Sequence, residues 1–193
     1  AGKQQTTGGG NVLIGKDAAG IDASSSNVII GTSAFSSANN SSSSNNVMVG
    51  NEAGVSINGA NSTDNVILGS GAGSGGGAEF TENIAIGSNA LNSTAANATT
   101  GIVAIGHNAL TALTSGAKNL AIGYQALQHA DTATDCIAIG YQAMSDQNVG
   151  GSGHAADSDH NIAIGSLAMS GAWADSKSEQ NVAIGNFTMN AVM

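Results

Sequence analysis

An eight-residue unit, N-Φ-x-Φ-G-x-x-A with Φ aliphatic, recurs ten times in this 193-residue chain. A short unit repeated at about twenty residues builds a solenoid, because one unit cannot bury its apolar face alone and a stack of them can. The first copy is NVLIGKDA from Asn11 and the last is NVAIGNFT from Asn181. Slot one falls at Asn11, Asn27, Asn46, Asn65, Asn83, Ile102, Asn119, Cys136, Asn161 and Asn181, at spacings of 16, 19, 19, 18, 19, 17, 17, 25 and 20 residues. Constant strands with variable linkers predict an all-β chain, a parallel β-roll of about ten coils. Residues 1–10 precede the first copy and are expected to be a flexible segment. Residues 11–193 form one repeat domain, with no room for a second.

Slots two and four are aliphatic in every copy, from Val12 and Ile14 to Val182 and Ile184. Residues two apart on a strand share a face, so these side chains are expected to stack into the interior of the roll. Glycine fills slot five in all ten copies, as a turn at positive φ or a backbone with no room for Cβ requires. Asparagine in slot one can stack as an amide ladder, which Ile102 and Cys136 should interrupt. Slot three reads Leu13, Ile29, Met48, Ile67, Ala85, Ala104, Ala121, Ala138, Ala163 and Ala183, and is never polar. A strand apolar on both faces is buried on both. With one face inside the coil, slot three is expected to meet identical neighbours around a symmetry axis, as the interface of a homotrimer. The switch from four large residues to six alanines suggests copies that stand farther apart at the N-terminal end.

Composition removes several functions. Four Lys, no Arg and a net charge of −9 leave nothing to neutralise phosphate, which argues against nucleic acid and against an anionic membrane surface. No stretch reaches the ~18 apolar residues of a membrane span, so no membrane insertion is expected. The single cysteine, Cys136, rules out an intrachain disulfide framework and a cysteine metal cluster.

The strings NIAIGSNAL from Asn83, NLAIGYQAL from Asn119 and NVAIGNFT from Asn181 resemble the head repeats of YadA-like trimeric adhesins. The core of those repeats is written roughly N-S-V-A-I-G-x-x-S/A. Similar AIGYQAL strings are typical of bacteriophage fibre and virion proteins. The resemblance runs from Asn11 to Met189. It implies a left-handed parallel β-roll with three chains around an axis. The adhesin coils are shorter and more regular than these. Adhesins also carry a signal peptide, a coiled-coil stalk and a membrane anchor, none of which is visible in this sequence.

Candidate chemistry is sparse. Gly10 to Lys16, GNVLIGK, fits a phosphate loop as a string, but its middle is the first repeat strand, and Asp17 stands where Ser or Thr would hold magnesium. Isoleucine-glycine pairs echo hexapeptide acyltransferases, whose catalytic His lies between subunits, and His107 is the one His inside a repeat. That fold needs three hexads per coil, and one is found here, so His107 is expected to be a surface turn residue. The Ser145–His160 linker collects Asp146, His154, Asp157, Asp159 and His160. Such a set could ligate a metal, but Ala155 takes the place of a calcium-repeat aspartate, and a solvated loop is the expectation. Cys136 is read as a small buried substitute for Asn, Tyr124 and Tyr141 as a surface row one coil apart, and Trp173 as a possible surface contact.

The expectation is a protein without enzymatic activity and without cofactor or metal. Its first partner is itself, as a homotrimer. The second is a capsid or other virion protein, as a bacteriophage capsid decoration (cement) protein or short fibre located on the virion. The alternative is the head fragment of a bacterial adhesin at the cell surface, bound to a host surface or matrix. A hexapeptide-type acyltransferase stands third.

Overall fold

A computed structural model of the chain describes residues 8–19, 25–36, 43–57, 61–75, 78–92, 98–145, 159–171 and 179–190. These form an all-β solenoid with no helix among them. Each repeat copy gives one three-residue strand over slots two to four: β1 (Val12–Ile14), β2 (Val28–Ile30), β3 (Val47–Val49), β4 (Val66–Leu68), β6 (Ile84–Ile86), β8 (Val103–Ile105), β9 (Leu120–Ile122), β10 (Ile137–Ile139), β11 (Ile162–Ile164) and β12 (Val182–Ile184). They stack in chain order as a ten-stranded parallel sheet, and each slot pairs with the same slot in the next copy, as in Ala121↔Ala138. Two minor strands, β5 (Phe80–Thr81) and β7 (Thr99–Thr100), pair on another side of the roll.

The orientation of the strands corrects one expectation. Slot three, not slots two and four, fills the interior. Ile29, Met48, Ile67, Ala85, Ala104, Ala121, Ala138, Ala163 and Ala183 are buried within their own chain, and Leu13 packs partly buried against the same core. Nine of these ten proposed interface residues are therefore closed to a neighbour, and Leu13 is partly so. The cause lies in slot one. Asn27 donates its backbone N–H and Nδ2 to Asn11 Oδ1 (2.9 and 3.1 Å), and Asn46 and Asn65 repeat the pattern on Asn27 and Asn46. The same amides reach inward to a carbonyl at a neighbouring corner, as Asn46 Nδ2 does to Ser62 O at 2.9 Å. Each bond is worth about 1 kcal/mol net, and an orphaned buried amide costs more, so the side chain must lie where these partners are. Alternation along the strand then carries slot three inward with slot one and turns slots two and four out.

The large-to-small switch in slot three is also an internal matter. Where slot three is Met48 or Ile67, slot nine is Gly54 or Gly73. A Cβ on those glycines would stand 2.6 Å from Met48 Sδ and 2.8 Å from Ile67 Cδ1. In five of the six copies where slot three is Ala, slot nine is Leu91, Leu110, Leu127, Met144 or Met169, all buried, and in the last it is the exposed Met189. The two slots share one volume inside each coil, and close packing enforces the trade. Ile29 with Phe35 breaks the rule, and the structure offers no account of it. A double-mutant cycle should expose the trade. Leu127→Gly alone leaves a cavity costing about 2–5 kcal/mol, and Ala121→Met alone overpacks by about 1–3 kcal/mol. Together they should lose less than the sum, with a coupling of about 0.5–3 kcal/mol in urea titrations.

Candidate interaction surface

Turning slots two and four outward gives the roll one unusual face. The two slots form adjacent aliphatic columns running the length of the ten-stranded sheet. They are half-buried in the middle copies and open at both ends, at Val12, Ile14, Val182 and Ile184. A contiguous apolar patch of this kind is uncommon on a monomer, which makes the stripe a candidate contact surface.

Polar columns border the stripe on each side. Slot six, just after the turn glycine, holds Lys16, Thr32, Asn51, Ser70, Ser88, His107, Tyr124, Tyr141, Ser166 and Asn186. Slot zero, just before the strand, holds Gly10, Ser26, Asn45, Asp64, Glu82, Gly101, Lys118, Asp135, His160 and Gln180. All of slot zero and all of slot six except half-buried Ser166 are exposed. Both margins are internally tied. Tyr124 and Tyr141 stack with centroids 5.5 Å apart, and His107 tilts against Tyr124 at 5.3 Å. Gln142 Nε2 donates to Gln125 Oε1 at 2.7 Å directly behind them. On the other margin Asn45 Nδ2 donates to Asp64 Oδ1 at 3.1 Å, and His160 Nε2 stands 3.8 Å from Asp135 Oδ2.

Among the described residues, the candidate chemical groups find no shared site. His107 is exposed and tilted against the Tyr124 ring, in the surface turn foreseen for it. Val12–Ile14 of the phosphate-loop string are strand β1. Of the acidic-histidine linker, Asp159 accepts from the Thr134 backbone N–H at 2.9 Å, and Asp146, His154 and Asp157 lie outside the described residues, as does Trp173. Among the described residues, no group of three His, Cys, Asp or Glu side chains could hold a metal ion, and no helix is long and apolar enough to cross a membrane.

Cys136 does stand in for Asn. The ladder is interrupted at Ile102, whose N–H donates to Asn83 Oδ1 at 3.0 Å but whose side chain passes nothing on. At Cys136 the N–H donates to Asn119 Oδ1 at 3.0 Å, the thiol donates to Thr134 O at 3.6 Å, and the backbone N–H groups of Asn161 and His160 favour the thiolate through weak bonds. Burial raises the thiol pKa from 9.0 to about 11, outweighing those two bonds. The native thiol should therefore resist iodoacetamide at pH 8 and react on unfolding, as mass spectrometry would read. The sign of the pH dependence follows. The folded pKa lies above the unfolded one, so this contribution to stability is complete below pH 9 and is lost as pH rises through about 11.

The signal for the true outward face was present in the sequence. Eight of ten copies place in slot one a side chain with both a donor and an acceptor to satisfy, and nine of ten pair a large residue with a small one across slots three and nine. Compared with known proteins, the chain matches no family model, no curated protein and no solved structure.

Proposed function

We propose that this chain is a non-enzymatic structural protein. Three copies assemble as left-handed β-rolls of ten coils, packed by the slot-two and slot-four stripe around a common axis. The observation that carries this is the stripe itself: two aliphatic columns along the whole ten-stranded sheet, outward-facing and bordered by polar margins. An apolar centre with a polar rim is the anatomy of a protein interface. The repeat strings resemble those of bacteriophage fibres and virion proteins, and this favours a capsid decoration protein or a short fibre. The trimeric rod is the mechanical part, and the variable linkers are the surface that meets capsid or host.

Light scattering of the purified chain should return the mass of three copies, and the protein should cosediment with bacteriophage particles stripped of their decoration. A stable single-chain mass would overturn the assembly. A three-chain mass with binding to host cells in place of particles would move the protein to the adhesin alternative.

A further inference from the structure

We infer that the two polar margins are complementary halves of one seam, so that the slot-six column of each copy seals against the slot-zero column of the next, rung for rung. This rests on the three-chain assembly proposed above and adds which residues meet and at what height.

Strands of three residues are about 10 Å wide, enough for two aliphatic columns and no more. Two such faces packed flat on one another would bury the stripe and leave all four margins open. Three faces around an axis bring the opposite margins of neighbouring copies together. Each copy has one margin of each kind, so the contact is heterologous, and a closed ring has no translation along its axis. Slot six of a given coil therefore meets slot zero of the same coil in the neighbouring copy.

The residues suit that pairing. Slot six is rich in hydroxyl and amide donors, and slot zero carries carboxylates and other acceptors. Ser70 meets Asp64 of the neighbouring copy, and Ser88 meets Glu82. Tyr141 O–H meets Asp135, a charge-assisted bond, and the Tyr124 phenol oxygen accepts from the Lys118 ammonium. Lys16 is the one Lys, Asp or Glu of the slot-six column, and it meets Gly10; His107 meets Gly101. No rung sets like charges against each other, as a specific seam requires. The ring stack and the Gln125–Gln142 bond hold the aromatic rungs in place before assembly.

Cross-linking tests the seam. In a Cys136→Asn background, Ser88→Cys with Glu82→Cys should give a covalent three-chain species after mild oxidation, seen on a non-reducing gel. Closure within one chain is out of reach, because six residues of strand and turn span on the order of 15–20 Å, and a disulfide needs Cα atoms within about 7 Å. The offset combination, Ser88→Cys with Asn45→Cys, should stay unlinked. Asn51→Cys with Asn45→Cys is a second matched pair, also at exposed positions, and should behave as the first. A three-chain mass with no cross-link at either matched pair would overturn the seam and leave the trimer standing. Equal linking of matched and offset pairs would also overturn it. A single-chain mass would remove both proposals, and a two-chain mass without links at either matched pair would replace the seam by a flat dimer.

Discussion

Aspartate at Ala121 will unfold this chain, and aspartate one residue further on, at Ile122, will leave it folded and separate its copies. Ala121 is fully buried between Ala104 and Ala138 in the column of slot three, with Leu127 filling the space beside it. A carboxylate there has no partner and no water. Its desolvation costs several kcal/mol, a large part of the ~5–15 kcal/mol that holds a domain together. Ile122 points outward on the same strand and is only half-buried in its own chain. Within one copy, Ile122→Asp loses packing against Ile105 and Ile139, worth about 0.2–1 kcal/mol each. In the three-chain assembly proposed above it places a charge in the apolar stripe. Circular dichroism should thus show lost β structure for the first variant and retained β structure for the second, whose mass falls to one chain. Equal unfolding by both would mean that the outward stripe belongs to the chain's own core. A folded Ala121→Asp would put slot three back at a surface.

Much of the fold was legible because repetition is. Strand position, order and register follow from ten aligned copies, and the slot-five glycines mark each turn at positive φ, from Gly15 to Gly185. Which face points inward was misread, for a physical reason. Strands that are apolar at slots two, three and four fit either orientation, and only the neighbours decide. Asn27 and Asn46 require inward partners, and Met48 with Gly54 share one interior volume, but the amide ladder was expected without a face and the size switch in slot three was read as spacing between copies. The Tyr124–Tyr141 row was foreseen, and the extension of that stack by His107 was not. The margins themselves, such as Ser88 opposite Glu82 across one strand, acquire meaning only when the outward face is known. Linker residues 146–158 and 172–178, where loop chemistry and Trp173 were placed, lie outside the described residues.

Left-handed backbone is spread through this roll, and most positions tolerate side chains. Slot zero carries Asp64, Glu82, Lys118 and Asp135 at φ near +60°, and slot nine carries Leu110 and Leu127 at φ near +50°. Slot five does not tolerate one. Its φ runs from 124° to 149°, a region essentially restricted to glycine, and each slot-five glycine lies directly over the carbonyl of the next. A Cβ on Gly123 would overlap the carbonyl oxygen of Gly140. Gly123→Ala should therefore combine backbone strain of about 1–3 kcal/mol with a steric cost of about 1–3 kcal/mol. The total is ~2–6 kcal/mol, and it falls in the middle of a solenoid whose stability depends on unbroken nearest-neighbour contacts. Gly185→Ala should cost less. There is no following glycine for it to strike, and its Cβ would meet only Thr188 Cγ2 at 3.2 Å. Gly101→Asn should be close to neutral, since φ there is 67°, the nearest atom is Lys118 Cγ at 3.7 Å, and Asn45 already occupies the same slot at φ 60°. Urea unfolding of the three variants should rank Gly123→Ala far below Gly185→Ala, with Gly101→Asn level with the unmodified chain. Equal losses at Gly123 and Gly101 would show that conformational freedom alone, and not the stacking of one turn directly on the next, keeps glycine in slot five.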